Sequence, residues 1–169
     1  MIDVAVVGAG PVGSRTARLL AAAGFTVEIL EENREVGRPV QCAGLVSPRT
    51  HEMLGKLRAL NLLRGARVRS ALGTVLEVRA SEPRAIVIDR SEADKLVAAE
   101  AVKAGAKLRL GWQLSSLETK PDRMSIRSID GRTAAARLVV GADGAGSAVR
   151  RLSGIEPPGE LLPAFECEL

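Results

Sequence analysis

Tyrosine is absent from this 169-residue chain, and Phe25, Phe165 and Trp112 are its only aromatic residues. The core must be built from Ala, Val, Leu and Ile, and stacking platforms for bases are scarce, which argues against a nucleic-acid module. Charge of one sign is missing as well. The 24 basic and 20 acidic residues leave a net +4 that is spread along the chain without a block of like sign, the pattern of a solvated, mildly basic surface. Cysteine is sparse: Cys42 and Cys167 lie far apart without a CxxC, and His51 is the single histidine. Neither a zinc site nor a disulfide framework is supported, and a reducing, cytoplasmic compartment is expected. No apolar run approaches the roughly 20 residues of a membrane span, and Met1 leads straight into an apolar segment rather than a cleavable leader. Peripheral contact with a membrane stays open. With 46% hydrophobic residues, one globular domain is expected.

Along the chain, the patterning alternates between strand and helix. Residues 2 to 7 (IDVAVV) read as a strand buried on both faces of a parallel sheet, bounded by Gly8. Ser14 to Ala23 is helical, with Gly24 past its end, and Thr26 to Leu30 completes a βαβ unit. Residues 33 to 47 read as an ordered loop, after which Ser47-Pro48 supplies an N-cap and a first-position proline for a helix of about three turns. Ala66 to Asp89 suggests an inserted sheet of two or three antiparallel strands. Ser91 to Ala104 returns to helix and Lys107 to Leu110 to strand. Trp112 to Leu138 reads as a β-meander with turns at Pro121-Asp122 and Asp130-Gly131, before an apolar strand at Leu138 to Val140.

Gly8, Gly10 and Gly13 form G-x-G-x-x-G between strand and helix, the context a dinucleotide fingerprint needs. Gly8 allows the tight turn, Gly10 lets a pyrophosphate approach the backbone, and Gly13 lets the helix pack closely on the strand. Glu31 follows Gly13 by 18 residues at the end of the second strand, where a carboxylate accepts hydrogen bonds from adenosine ribose hydroxyls and repels a 2′-phosphate. Its neighbour Glu32 is the alternative. This motif does not separate NAD from FAD.

Two later stretches do. GADGAGSAVRR, residues 141 to 151, resembles the segment that lies beside the ribityl and pyrophosphate region of the flavin in FAD-dependent monooxygenases and reductases of the p-hydroxybenzoate hydroxylase fold. The resemblance makes Asp143 either an acceptor near the cofactor or the residue that shapes its turn. VGRPVQCAGLVSPR, residues 36 to 49, resembles a loop of the geranylgeranyl reductases, including archaeal enzymes that saturate prenyl chains of membrane lipids, with Pro39 and Cys42 in the Pro-x-x-Cys pattern. It implies cofactor contacts at Cys42, Ala43 and Leu45, mainly through backbone, with Gly44 as an additional contact. Many relatives have C-x-x-G where this chain has glycine after one residue. Arg90 and Leu114 match an arginine before a helix and a strand position that touches adenine in the same family. Cys42 also fits a small buried hydrophobe, and is only a weak catalytic candidate. Arg34 and Arg38 could lend positive charge, and His51 reads as a surface residue.

The resemblance implies a Rossmann-like α/β FAD/NAD(P)-binding domain with a parallel sheet, a β-meander crossover and a small antiparallel sheet insertion. Residues 1–155 would be the FAD-binding domain, with 66–89 belonging to an incomplete substrate domain and 156–169 a linker and first strand toward the rest of it. The family's chains continue beyond this length, so an N-terminal fragment, or one half of a two-chain assembly, is expected. The implied activity is flavin hydride reduction of isoprenoid C=C bonds, or of another hydrophobic small molecule, with NAD(P)H or a reduced protein as electron donor. The alternatives are a flavin monooxygenase and a non-catalytic nucleotide-binding module.

Overall fold

The computed structural model describes residues 1–162 apart from Gln41, Lys56, Pro158 and Leu161. The apolar run Ile2–Val7 is strand β1. Helix α1 (Pro11–Ala22) starts three residues before the expected Ser14, because Pro11 at its first position is pre-set for helical φ. Gly24, at φ +90°, ends it. Strand β2 (Val27–Leu30) follows. The expected loop over 33 to 47 contains a two-residue strand, β3 (Leu45–Val46). Helix α2 (Pro48–Leu54) has the expected Ser47 cap, with the Ser47 hydroxyl accepting from the Thr50 N–H. It is two turns long rather than three, stopping at Gly55, which has φ +70°.

Strand β4 (Asn61–Leu63) precedes the expected insertion, which holds three strands, β5 (Gly65–Arg69), β6 (Val75–Arg79) and β7 (Ala85–Val87). They do not form one sheet: β7 pairs with β3 and β4, while β5 and β6 make a separate hairpin. Helix α3 (Arg90–Lys103) begins at an Asp89 cap. Strands β8 (Lys107–Arg109), β9 (Leu114–Thr119), β10 (Met124–Ser128) and β11 (Thr133–Gly141) and the short helix α4 (Ala148–Leu152) complete the described chain. The separate strand expected at Leu138 to Val140 is the second half of β11, since no turn residue interrupts Thr133–Gly141. The strand expected within 156–169 falls largely outside the described residues, as does Cys167.

The main sheet has the order β8-β2-β1-β11-β10-β9. The first four strands are parallel, and β10 and β9 fold back antiparallel as the expected meander. Alternation along β1 sends Val4 and Val6 to one core, with Ala17 of α1 and Ala98 and Ala101 of α3. Ala5 goes to the other, with Leu30, Trp112, Ile126 and Ala136. Small alanines on α1 and α3 let both helices lie close to the sheet, and Arg18 of α1 bonds Glu100 of α3 at 2.7 Å. His51 is half-buried rather than on the surface; its Nε2 lies 2.9 Å from the Leu57 carbonyl oxygen.

Parallel pairing brings Val7, Leu30 and Gly141 side by side at one edge of the sheet. The residues that follow each strand therefore open onto the same space. There a Cβ on Gly13 would stand 2.0 Å from the Gly8 carbonyl oxygen. Backbone cannot yield as a side-chain tip does, so Gly13→Ala is expected to lower stability by about 1–3 kcal/mol, measured by urea denaturation. Gly10→Ala, whose Cβ meets nothing within 4 Å, is expected to leave the unfolding midpoint unchanged.

Candidate functional site

Where β1, β2 and β11 end, a cleft of about 710 Å³ opens, within the roughly 300–1,000 Å³ usual for small-molecule and cofactor sites. Its position follows the general rule for open α/β sheets. Ligands lie beyond the carboxyl ends of the strands, where the chain departs to opposite sides of a central strand.

The wall nearest β1 is the turn Gly8–Gly10 and the start of α1. Gly8 has φ +100°, and a Cβ there would meet the Ala142 carbonyl oxygen at 2.4 Å, so only glycine fits. Gly13 lies beneath, packed on Gly8, and serves the turn rather than lining the cleft. Gly10 has open space where a side chain would be. Each of α2, α3 and α4 has a side-chain cap, whereas α1 has none and carries no acid in its first turn. Its unpaired N–H groups face the cleft at the positive end of the helix dipole, an arrangement suited to a phosphate.

Glu31, at the end of β2, is buried and lines the cleft. One carboxylate oxygen accepts the Ala9 N–H at 2.7 Å; the other accepts the Asn33 N–H at 2.9 Å and the Asn33 side-chain amide at 2.8 Å. The carboxylate is thereby locked in place beside the glycine turn, with lone-pair capacity left on the oxygen shared with Ala9. Glu32, the alternative, also lines the cleft but is exposed. Beyond Glu31 the Trp112 N–H donates to the Glu31 carbonyl at 2.7 Å, and Trp112, Gln113 and Leu114 close this end.

The far wall carries Arg38, Cys42, Arg90 and Asp94. Arg90 Nη2 donates to both Asp94 oxygens, at 3.1 and 3.3 Å. Burial pushes the Asp94 carboxyl up from its ordinary range, partly offset by Arg90 and reinforced by the charge of Glu31. Burial works against the Arg90 charge, yet Asp94 and contact with Cys42 outweigh it and hold the guanidinium above its usual range. Ala43, Gly44 and Leu45 are not among the cleft-lining residues. Ala43 and Leu45 are exposed, and Gly44 is pinned against Ile88 just past β7, its would-be Cβ 2.0 Å from the Ile88 carbonyl oxygen. Arg34 is exposed and off the cleft.

Asp143 closes the ring. Its Oδ1 accepts from the Ser147 hydroxyl at 2.6 Å, and its Oδ2 accepts the Ala148 and Val149 N–H groups at 2.6 and 3.1 Å. These bonds shape the turn and hold Gly144 to Gly146 at the cleft rim, which Asp143 itself lines. Asp94 and Trp112 were not legible as cleft residues. An acid four residues into a helix and an indole next to a strand carry no sequence signal of a shared cavity.

A family described as FAD binding domain matches residues 1–163. The chain belongs to the FAD binding domain family. Digeranylgeranylglycerophospholipid reductase of Methanosarcina acetivorans is 32% identical over 164 residues, covering 91% of this chain and 40% of the relative. An uncharacterized protein of Methanosarcina barkeri is 32% identical over 166 residues, covering 90% of this chain and 88% of its own. Among solved structures, a geranylgeranyl bacteriochlorophyll reductase-like protein from Thermoplasma acidophilum superposes with a TM-score of 0.79 at 28% identity, covering 92% of this chain and 42% of that one. The chain thus spans less than half the length of the named reductase it matches. The cleft fits FAD: the uncapped α1 suits a pyrophosphate, Gly10 leaves room for it, and Glu31 offers an acceptor for a sugar hydroxyl. No helix among the described residues is long and apolar enough to cross a membrane.

Glu31→Ala leaves the buried Ala9 N–H without an acceptor, so a loss of about 1–3 kcal/mol is expected. Asp143→Ala leaves the Ser147 cap of α4 in place but removes the acceptor of the Ala148 and Val149 N–H groups, with an expected loss of about 0.5–2 kcal/mol. Urea titrations followed by circular dichroism measure both.

Proposed function

We propose that this chain holds FAD for a reductase of isoprenoid C=C bonds, of the geranylgeranyl reductase type. The observation that carries the substrate class is the 32% identity to a digeranylgeranylglycerophospholipid reductase across nine-tenths of the chain. The cleft at the strand ends supports the cofactor role. In this reading the α1 N–H groups and the turn through Gly8, Gly10 and Gly13 hold the pyrophosphate. Glu31 accepts from the adenosine ribose, and the Leu114 main chain meets the adenine edge. Arg90 and Cys42 contact the cofactor from the opposite wall, with Ala43, Gly44 and Leu45 setting the backbone course that presents Cys42. Asp143 fixes the Gly144 to Gly146 rim against the cofactor.

Bound and reduced, FAD supplies a hydride to one carbon of the double bond while a proton reaches the other. The protein's part is to bind, orient and exclude water. The exposed β5–β6 hairpin and the β3-β7-β4 sheet belong, in this reading, to a substrate-covering region that further residues complete. NAD(P)H or a reduced protein serves as electron donor, and a hydrophobic substrate is delivered from a membrane surface.

Trp112 is the only tryptophan, tyrosine is absent, and Trp112 is among the cleft-lining residues, so intrinsic emission comes from a residue at this site. Adding FAD to the purified protein is expected to give a bound-flavin visible spectrum and to quench Trp112 emission. Glu31→Ala is expected to weaken binding about tenfold, the equivalent of one good hydrogen bond. Absence of both signals at tens of micromolar FAD would sink the cofactor assignment. Incubation of the flavin-loaded protein with dithionite and a geranylgeranyl lipid should add two hydrogens per double bond by mass; a gain of oxygen would favour a monooxygenase instead.

A further inference from the structure

The pairing of Arg90 with Asp94 runs against the local rules of α3. Arg90 is the first residue of the helix, where the positive end of the dipole disfavours a cation. A base four residues before an acid is also the weaker of the two i,i+4 orientations. Asp94 keeps only 13% of its side chain exposed, and burial, with the charge of Glu31, holds its carboxyl above the ordinary range against the pull of Arg90. In a partly buried ion pair desolvation offsets much of the attraction, so the pair is weak evidence of a folding role. Sites that break local rules without a folding gain are where function is expected, and both residues line the cleft.

The geometry also says what Asp94 does. Both of its oxygens engage one nitrogen of the guanidinium, Nη2, which leaves Nε and Nη1 without a carboxylate partner among the described residues. Glu31, a second carboxylate, lines the same cleft.

We propose that Asp94 is a positioning residue that holds the Arg90 guanidinium on the cleft wall, with its remaining donors left for bound FAD. The inference rests on the reading of Arg90 as a cofactor contact.

Titration with FAD, followed by Trp112 quenching and flavin absorbance, tests it on Arg90→Ala, Asp94→Asn, Asp94→Glu and the double variant Arg90→Ala/Asp94→Asn, with thermal unfolding of each measured without FAD. Arg90→Ala and Asp94→Asn are each expected to weaken FAD about tenfold. The double variant should be no weaker than Arg90→Ala alone, because Asp94 acts through Arg90. Asp94→Glu should recover most of the affinity, and Asp94→Asn should unfold no earlier than the parent. Additive losses in the double variant overturn the proposal, as does parental affinity in Asp94→Asn beside a weakened Arg90→Ala. So does a drop in the thermal midpoint of Asp94→Asn that accompanies its loss of affinity. Parental affinity in Arg90→Ala overturns the cofactor reading of Arg90, and the role of Asp94 with it.

Discussion

The close approach of three backbone segments at Gly8 is the constraint on which the rest of the structure depends. The turn after β1 passes so near the loop after β11 that the Ala142 carbonyl occupies the place of a side chain, and α1 lies so near the turn that Gly13 can bear none either. The Ala142 N–H donates to the Val7 carbonyl at 2.8 Å, and the Gly8 N–H to the Leu30 carbonyl at 2.9 Å. The turn is therefore hydrogen-bonded to both neighbouring strand ends. That packing aims the uncapped end of α1 into the cleft, and it places Ala9 where Glu31 can accept its N–H. Each side of the cleft is thus referred to one point in the main chain.

The scarcity of aromatic residues has a structural counterpart. One core is filled by Val, Ile and small alanines, so α1 and α3 approach the sheet closely. The other is organised around Trp112, the largest fully buried side chain, with Arg109 and Arg132 over its ring at 5.3 and 4.9 Å. Arg109 also bonds the buried Glu28 at 2.8 Å, which compensates a carboxylate in the middle of β2. Its indole N–H has no partner among the described residues. This single aromatic ring joins β2, the crossover and the meander beside the cleft. The β5–β6 hairpin, by contrast, is exposed along its whole length, and a two-stranded hairpin is marginal alone in water.

Much of this was legible from residue types. The G-x-G-x-x-G turn, the Ser47-Pro48 helix start and the turns at Pro121-Asp122 and Asp130-Gly131 stand where their chemistry put them, because each depends on its own few residues. Cys42 and Arg90 were assigned by resemblance, and they share one wall of the cleft. Element lengths were less legible. Helix α2 is cut short at Gly55, and β11 runs on through Leu138, where no turn residue interrupts it and β1 pairs beside it. The insertion was read as one sheet, since alternating Val and Leu do not say which strand pairs with which.

Sequence alone determined the turn, its glycines and the acid at the end of β2, because each is a local requirement of backbone sterics or of charge beside a helix end. Only the tertiary structure decided that Gly44 would be pinned to Ile88, and that Asp94 and Trp112 would border the cleft. Those outcomes depend on contacts between residues far apart in the chain. Their geometry is set by how the strands pair and how closely the helices can pack.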